Sequence, residues 1–484
     1  AAAVLLVGVL VFLGVIAVAL KVVEYGVEPI FDYVSGPIFL FILGLLFVPA
    51  VIAMYLLKLR RDEAVVPSTL LWTRLVADVE AWNTVWYLPA WYGYLLVLDA
   101  VITSRGGRSF VADRRGELAS MMLWSLPFWL LFEAFNLRLT NWYYVFGLRT
   151  LWGSLTMSVL AFATVLPACF FHAELLGTFG AFAESRCRPL RVTRTVLASS
   201  AALGAAAVAL PLLWPSGFFW IVWVAPLGIL EAVNYRSGAP SLLSDLEQGR
   251  PARLLRLLVG GLLAGAVWEL LNYWARTKWI YTVPGFERWK LWEMPFAGFG
   301  GFPPLALSAF AFFSYVSRLR GRARLVAAAV AITFSAAASV AILDRNVQSV
   351  RPVLADLSDL DASYVAKLRA AGIPTPERLD RTVRREGVRA VAARAGIPAD
   401  AIRHAAEEAS LSLHKGMGAP AAQLLQEVGI RTVADLASSD ADDLANRRGR
   451  VAPGLRALRE VPERVAAREA VRRLSVQERR AGGR

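Results

Sequence analysis

Phe132-Glu133-Ala134-Phe135-Asn136, followed by Asn141-Trp142-Tyr143-Tyr144, returns later in the chain as Trp268-Glu269-Leu270-Leu271-Asn272, followed by Lys278-Trp279-Ile280-Tyr281. Both copies close apolar runs long enough to cross a bilayer, for which about 20 mostly apolar residues are needed. A carboxylate inside hydrocarbon costs roughly 2.5–3.5 kcal/mol on insertion scales, so one kept in each copy implies a shared buried task. Outward from these stretches, Leu98-Asp99-Ala100-Val101 matches Leu230-Glu231-Ala232-Val233. Ser109-Phe110 matches Ser241-Leu242, and Leu151-Trp152 matches Leu291-Trp292. The offset grows slowly along the chain, as small loop insertions produce, and such self-similarity marks a repeated structural unit. The reading is a four-helix membrane unit written twice, over 84–213 and 214–343. An even number of helices gives both copies one orientation, related by an axis along the membrane normal.

Composition agrees with a membrane protein. The chain has 484 residues, a mean hydropathy of +0.49 and 57% hydrophobic residues. Apolar runs of spanning length fall near 2–20, 37–57, 84–102, 119–136, 150–171, 194–213, 217–233, 255–274, 291–316 and 325–343, about ten helices in all. The first lacks a basic n-region and a small-residue cleavage site, so it reads as a retained helix rather than a signal peptide. The net charge of +14 reads as loop arginines plus a basic C-terminal domain rather than a nucleic-acid footprint. Cys169 and Cys187, one in a predicted helix and one in a loop, imply neither a disulfide framework nor a zinc site.

Arg105, Arg108, Arg114 and Arg115 share one side of the membrane with Arg186, Arg188, Arg191, Arg236, Arg250, Arg253 and the cluster from Arg318 to Arg324. The positive-inside rule makes that side cytoplasmic. Single crossings counted from Lys58-Leu59-Arg60-Arg61, itself a cytoplasmic anchor, put it outside. The conflict arises between residues 62 and 102. The broken stretch 291–316, with Pro295, Gly298, Gly300, Gly301, Pro303 and Pro304, reads as a re-entrant candidate but lies too late to resolve it.

Residues 1–57 read as a transmembrane hairpin with an acidic connection, Glu24, Glu28 and Asp32, and 58–83 as an interfacial amphipathic segment with Trp72 among headgroups. Lys58-Leu59-Arg60-Arg61 followed by Val65-Val66-Pro67-Ser68-Thr69-Leu70-Leu71-Trp72 resembles the N-terminal segment of Bat-type aerotolerance-regulator membrane proteins, over residues 38–82. The resemblance implies an interaction role. The von Willebrand-type domain of that family does not follow here.

Residues 352–450 read as a soluble helical domain and 451–484 as a basic helical tail. Gly372-Ile373, Gly396-Ile397 and Gly429-Ile430 end short helices, because glycine takes the left-handed C′ conformation at little cost. Lys415-Gly416-Met417-Gly418-Ala419-Pro420 with Gly429-Ile430, and an earlier copy over Leu357–Ile373 lacking the hairpin glycines, resemble the tandem helix-hairpin-helix domains of unknown function found in bacterial proteins, over 354–450. That resemblance implies a bacterial source and a binding module. Lys415, Gly416, Gly418 and Arg431 are its partner- or DNA-binding candidates, since hairpin N–H groups can meet a phosphate. Asp435, Asp440, Asp442 and Asp443 oppose DNA and favour a protein partner.

Glu133 and Asn136 share a helix face, as do Glu269 and Asn272. Two readings fit them. Glu and Asn lock helices together by hydrogen bonds worth about 1 kcal/mol each. Alternatively, carboxylates meeting in a low dielectric become proton donors. On the second reading Glu133, Glu269 and Glu293 are catalytic candidates, and Asn136, Asn272, Trp142, Tyr144, Trp279 and Tyr281 line the mouth of an apolar substrate site. The plain alternative for the aromatic residues, Trp289 included, is an interfacial belt. Residues 133–144 and 269–296 resemble, faintly, lycopene-cyclase-type membrane domains, which implies carboxylates that protonate a polyene; the paired acidic motif of that family is absent. His172 and Glu174 read as an interfacial polar cap, and Asp99 and Glu231 as ion-pair partners of the nearby arginines.

The expected fold is all-α: a polytopic membrane protein with a tandem four-helix repeat and a helix-hairpin-helix domain. The favoured function is a non-catalytic scaffold or accessory subunit of a bacterial inner-membrane complex. No metal or cofactor is expected; membrane lipids and other membrane-complex proteins are the expected partners. An enzyme or binder for an isoprenoid or lipid is the alternative, and a membrane tether for DNA the third.

Overall fold

The computed structural model describes residues 87–283, 290–347, 349–427 and 429–438. The N-terminal hairpin, the interfacial segment with Trp72, Trp289 and the basic tail lie outside them, as does the side chain of Lys415. The chain divides into two compact units. Among the described residues, one takes those up to 139, 152–276, 283 and 290–344; the other takes 140–151, 277–282 and those from 345 to 438.

The first unit is helical. Its elements are α1 (Tyr87–Ser104), α2 (Arg115–Leu139), α3 (Leu151–Phe162), α4 (Val165–Thr178), α5 (Arg194–Leu213), α6 (Pro215–Phe218), α7 (Ala225–Arg236), α8 (Leu242–Glu247), α9 (Ala252–Trp274), α10 (Phe302–Ser317) and α11 (Gly321–Arg345). Among the described residues, seven stretches are long and apolar enough to cross a membrane: 115–139, 151–178, 194–213, 215–236, 252–273, 296–317 and 321–342. The protein is therefore a multi-pass membrane protein with a C-terminal helical domain.

The span expected at 84–102 falls on α1, where Ala90, Trp91 and Ile102 are fully buried. One expectation needs correction. The span expected from residue 291 starts later. Lys290–Leu291 (β3) and Met294–Pro295 (β4) form a small hairpin with Trp292 at φ +59°, and a 3-10 turn over Phe296–Gly301 leads into α10. Pro303 and Pro304 sit in the first turn of α10, where no N–H is needed.

Two of the seven spans are broken inside the apolar core, and a serine mends each break. Between α3 and α4, Ser125 of α2 donates to the Phe162 carbonyl at 2.6 Å and accepts from the Leu166 N–H at 3.1 Å. Between α6 and α7 the chain runs as a 3-10 turn over Phe219–Val224, and Ser308 of α10 donates to the Trp223 carbonyl at 2.6 Å and accepts from the Leu227 N–H at 3.3 Å. Backbone groups freed at such depth have no water to turn to, so the hydroxyls close a local deficit. Ser125→Ala and Ser308→Ala should each cost about 1–3 kcal/mol, the penalty for a buried unsatisfied polar group. A lowered unfolding temperature in detergent would record this, with the exposed Ser104→Ala unchanged.

The loops after α1 and α7 repeat one device. The Asp99 carboxylate accepts from Ser109 Oγ at 2.5 Å and the Phe110 N–H at 2.7 Å; Glu231 accepts from Ser241 Oγ at 2.9 Å and the Leu243 N–H at 3.1 Å. Both acids are buried and serve hydroxyl and backbone donors, which corrects the ion-pair reading.

The second unit contains β1 (Trp142–Val145) and β2 (Lys278–Tyr281), paired antiparallel with Trp142 opposite Tyr281 and Tyr144 opposite Trp279. Bridges from Tyr144 to Val347 and from Gly147 to Val350 add a third extended segment. This ribbon is a departure from the all-helical expectation. Aromatic and β-branched residues predominate in both strands and favour a pleated surface over a continued helix. Thr140 and Phe146, at φ +50° and +54°, bound β1, and their carbonyls accept from Thr282 Oγ1 and Thr277 Oγ1 at 2.5 and 2.6 Å.

In the C-terminal domain α12 (Ala362–Ala370), α13 (Pro376–Glu386), α14 (Val388–Ala395), α15 (Ala399–Leu413), α16 (Ala419–Glu427) and α17 (Val433–Ser438) are short. The three Gly-Ile pairs stop their helices alike: the N–H of Ile373, Ile397 and Ile430 reaches back to the carbonyl of Leu368, Ala392 and Leu425 at 2.8, 3.1 and 2.9 Å. Each isoleucine is then buried in the core.

Candidate functional site

Glu133 lies on α2 and Glu269 on α9, each with its asparagine one turn on, and all four side chains are 0–1% exposed. Trp129, one turn before Glu133, donates its indole N–H to Glu133 Oε1 at 3.0 Å. Glu269 is near enough to the Tyr87 phenol to interact with it electrostatically. The two helices share neighbours, since α2 and α9 both pack against α4 and α10. Aromatic contacts run through the space around them. Phe132 stacks on Trp223 at 5.1 Å, and Trp268 meets Trp91 at 5.6 Å and Phe302 at 5.9 Å. Gly265 and Gly301 allow this density: a Cβ at Gly265 would overlap the Phe302 ring at 2.0 Å, and one at Gly301 would meet the Trp223 indole at 2.9 Å.

Glu293 is also buried, but it occupies the turn of the β3–β4 hairpin and not a spanning helix. Glu133 thus has an indole donor among large apolar rings, and Glu269 lies next to the Trp268 ring on α9 with the Tyr87 phenol within electrostatic reach. Such surroundings suit a structural hydrogen-bond anchor, because burial without partners would be costly.

The aromatic candidates gather elsewhere. Trp142 and Tyr144 lie two residues apart in β1, and their directly opposite partners are Tyr281 and Trp279, so the four share one face of the ribbon. Trp279 Nε1 donates to Tyr281 Oη at 2.9 Å. The other face, Tyr143, Val145 and Ile280, is a buried cluster. Reading these residues as a substrate mouth or an interfacial belt left this arrangement unseen, because it depends on a period of two and on pairing between distant segments.

The glycine hairpin of the C-terminal domain is turned inward. A Cβ at Gly416 would sit 2.4 Å from the Val145 side chain, and one at Gly418 would sit 2.9 Å from Ser349 Cβ. Ser349 Oγ donates to the Gly416 carbonyl at 2.5 Å, and the Met417 and Gly418 N–H groups bond to His414 and Ser412 carbonyls at 3.0 and 2.8 Å. Gly416 and Gly418 therefore make room for the protein's own chain. Arg431 is exposed. Its N–H and that of Thr432 bond to the Asp435 carboxylate, which these hydrogen bonds hold below the usual range. Thr432 leads this effect, through both its backbone and its side chain.

His172 is 1% exposed. One ring nitrogen, Nδ1, lies 2.7 Å from the Ala168 carbonyl, so it carries the hydrogen, and Nε2 accepts from the Tyr94 hydroxyl at 2.7 Å. Sequence reading missed Tyr94, as it missed the Trp91 indole N–H that donates to Thr164 Oγ1 at 2.9 Å beside the α3–α4 break. Both contacts join residues more than seventy positions apart, and nothing local announces them.

No curated protein and no solved structure matches this chain. Residues 359–475 match the family model of a domain of unknown function, DUF4332.

Proposed function

We propose that the protein is a non-catalytic membrane scaffold or accessory subunit, whose helical core packs within a membrane assembly and whose C-terminal module, read as helix-hairpin-helix, docks a partner. The observation that carries this is the enclosure of Glu133 and Glu269, both 0% exposed among aromatic rings. A carboxylate that protonates an apolar ligand needs access to it, whereas one that anchors helices needs only protein partners. The span 321–342 adds support: it is rich in alanine, and only 11% of it is buried within the chain. Small residues let a neighbouring membrane helix approach closely. The membrane is proposed to be the bacterial cytoplasmic membrane.

The scaffold reading carries a proposed side for the module. With the arginine-rich loops cytoplasmic, as the positive-inside rule has them, segment 318–320 is cytoplasmic, and a further crossing by the candidate span 321–342 would carry the following residues outside. A DNA tether requires the opposite. The inward-turned Gly416–Gly418 hairpin also weighs against DNA. Partners are therefore sought on the outer face and within the bilayer.

Thiol labelling tests the side. Cys187 lies in an arginine-rich loop and Cys169 is buried, so a Ser438→Cys variant carries its own internal reference. In intact spheroplasts a membrane-impermeant maleimide should label the thiol introduced in α17 and spare Cys187 until lysis. The reverse pattern would place the module in the cytoplasm and reopen the DNA reading.

A further inference from the structure

A groove of about 280 Å³ opens between the ends of α1 and α4 and the first turns of α9, lined by Arg105, Gly106, Gly107, Glu174, Gly177, Thr178 and Arg256. Two of its linings are guanidinium groups with no carboxylate partner among the described residues. Arg105 stacks over the Phe179 ring at 3.8 Å. Arg256 commits only its Nε, to the Ala252 carbonyl at 3.3 Å. The single acid of the groove, Glu174, already faces Arg114 at 3.7 Å. Arg114 is in turn gripped by Glu117, whose hydrogen bonds raise its pKa above the ordinary arginine value.

Local backbone leaves room for the cations and offers no donors of its own. Gly177 leaves room for the Arg256 guanidinium to lie against α4: a Cβ there would come within 2.6 Å of Nη1, and the arginine tip would have to shift. The N–H groups of Gly106 and Gly107 are spent on the Thr103 and Ile102 carbonyls, which leaves the guanidinium groups as the donors of the site. The groove also lies at the ends of spanning helices, on the arginine-rich side, where headgroups of the adjoining leaflet are found.

We propose that this groove binds a phosphodiester or phosphate monoanion, with Arg105 and Arg256 as its two ligands, and that the source is the headgroup of an anionic phospholipid. Two forked guanidinium groups meet phosphate oxygens with parallel, charge-assisted hydrogen bonds. Basic pockets between membrane helices on the cytoplasmic side are suited to such headgroups. This inference goes beyond the scaffold reading and does not depend on it.

Native mass spectrometry of the full chain in mild detergent tests it, with phosphatidylglycerol, phosphatidylcholine and inorganic phosphate added separately. The wild type should retain one phosphatidylglycerol in preference to phosphatidylcholine. Arg105→Gln with Arg256→Gln should weaken that retention about 30-fold, from about a fivefold contribution per arginine. The single exposed change Arg105→Gln should weaken it about fivefold with an unchanged unfolding temperature, which separates binding from misfolding. Displacement of the lipid by millimolar phosphate would make free phosphate the ligand of the same two arginines and overturn the lipid source. Equal retention of both lipids by the wild type, or phosphatidylglycerol retention unchanged in the variants, would overturn the site.

Discussion

Gly204→Val and Gly228→Val are each expected to destabilise the membrane core by about 3 kcal/mol, toward the upper end of what overpacking costs. A Cβ at Gly204 would lie 2.5 Å from the Ile229 N and 2.8 Å from the Gly228 carbonyl carbon; one at Gly228 would lie 2.5 Å from the Gly204 N and 2.7 Å from the Ser200 carbonyl oxygen. These neighbours are backbone and cannot rotate away. The α5–α7 crossing would have to open, and with it the hydrogen bond from Ser200 Oγ to the Gly228 carbonyl at 2.8 Å. Glycine pairs that bring helix backbones into contact are a recurrent membrane device, and their value lies in the missing side chain. Gly116→Ala supplies the contrast, since nothing stands within 4 Å of its added methyl. That substitution should leave stability unchanged or raise it by about 0.5–1 kcal/mol. Thermal unfolding in detergent distinguishes the two classes, and tolerance of valine at either crossing position would contradict the packing described.

Asp99→Ala and Glu231→Ala form the second expected result. Each removes an acceptor shared by a buried serine hydroxyl and a backbone N–H, at distances of 2.5–3.1 Å. Leaving a buried donor unsatisfied costs about 1–3 kcal/mol, so each variant should lose about 3 kcal/mol. Because the two sites share no residue, the losses should add in the double variant. Asp99→Asn, which keeps one acceptor oxygen, should fall between wild type and alanine. A carboxylate that instead held an arginine would respond to salt, and neither of these should. Urea or heat unfolding at low and high ionic strength would separate the cases.

Much of this fold was legible. Apolar length announced the spans from 115 to 342, because a bilayer imposes one length on every crossing helix. The Gly-Ile stops of the C-terminal domain were legible too, since glycine at a helix end has one dominant use. The pairing of β1 with β2 was not, because each strand is only four residues long and its partner comes from the other copy. The acid–serine loops were half legible. The alignment set Asp99 beside Glu231 and Ser109 beside Ser241, yet the adjacent arginines drew the acids into the wrong partnership. The hairpin glycines illustrate the same limit: glycine marks a close approach of backbone, and only the structure shows that Gly416 and Gly418 approach Val145 and Ser349.

The buried carboxylates remain the point on which function turns, and one measurement addresses them together. The protein should be released from its membrane in a mild detergent and everything that co-elutes, protein and lipid, identified by mass spectrometry, for the wild type and for Glu133→Gln with Glu269→Gln. The scaffold account predicts stoichiometric partner polypeptides with the wild type, and the same partners with any variant protein that remains folded. A lone protein carrying one isoprenoid or apolar lipid, lost when the two glutamates are changed, would contradict it and make the carboxylates a binding or catalytic pair.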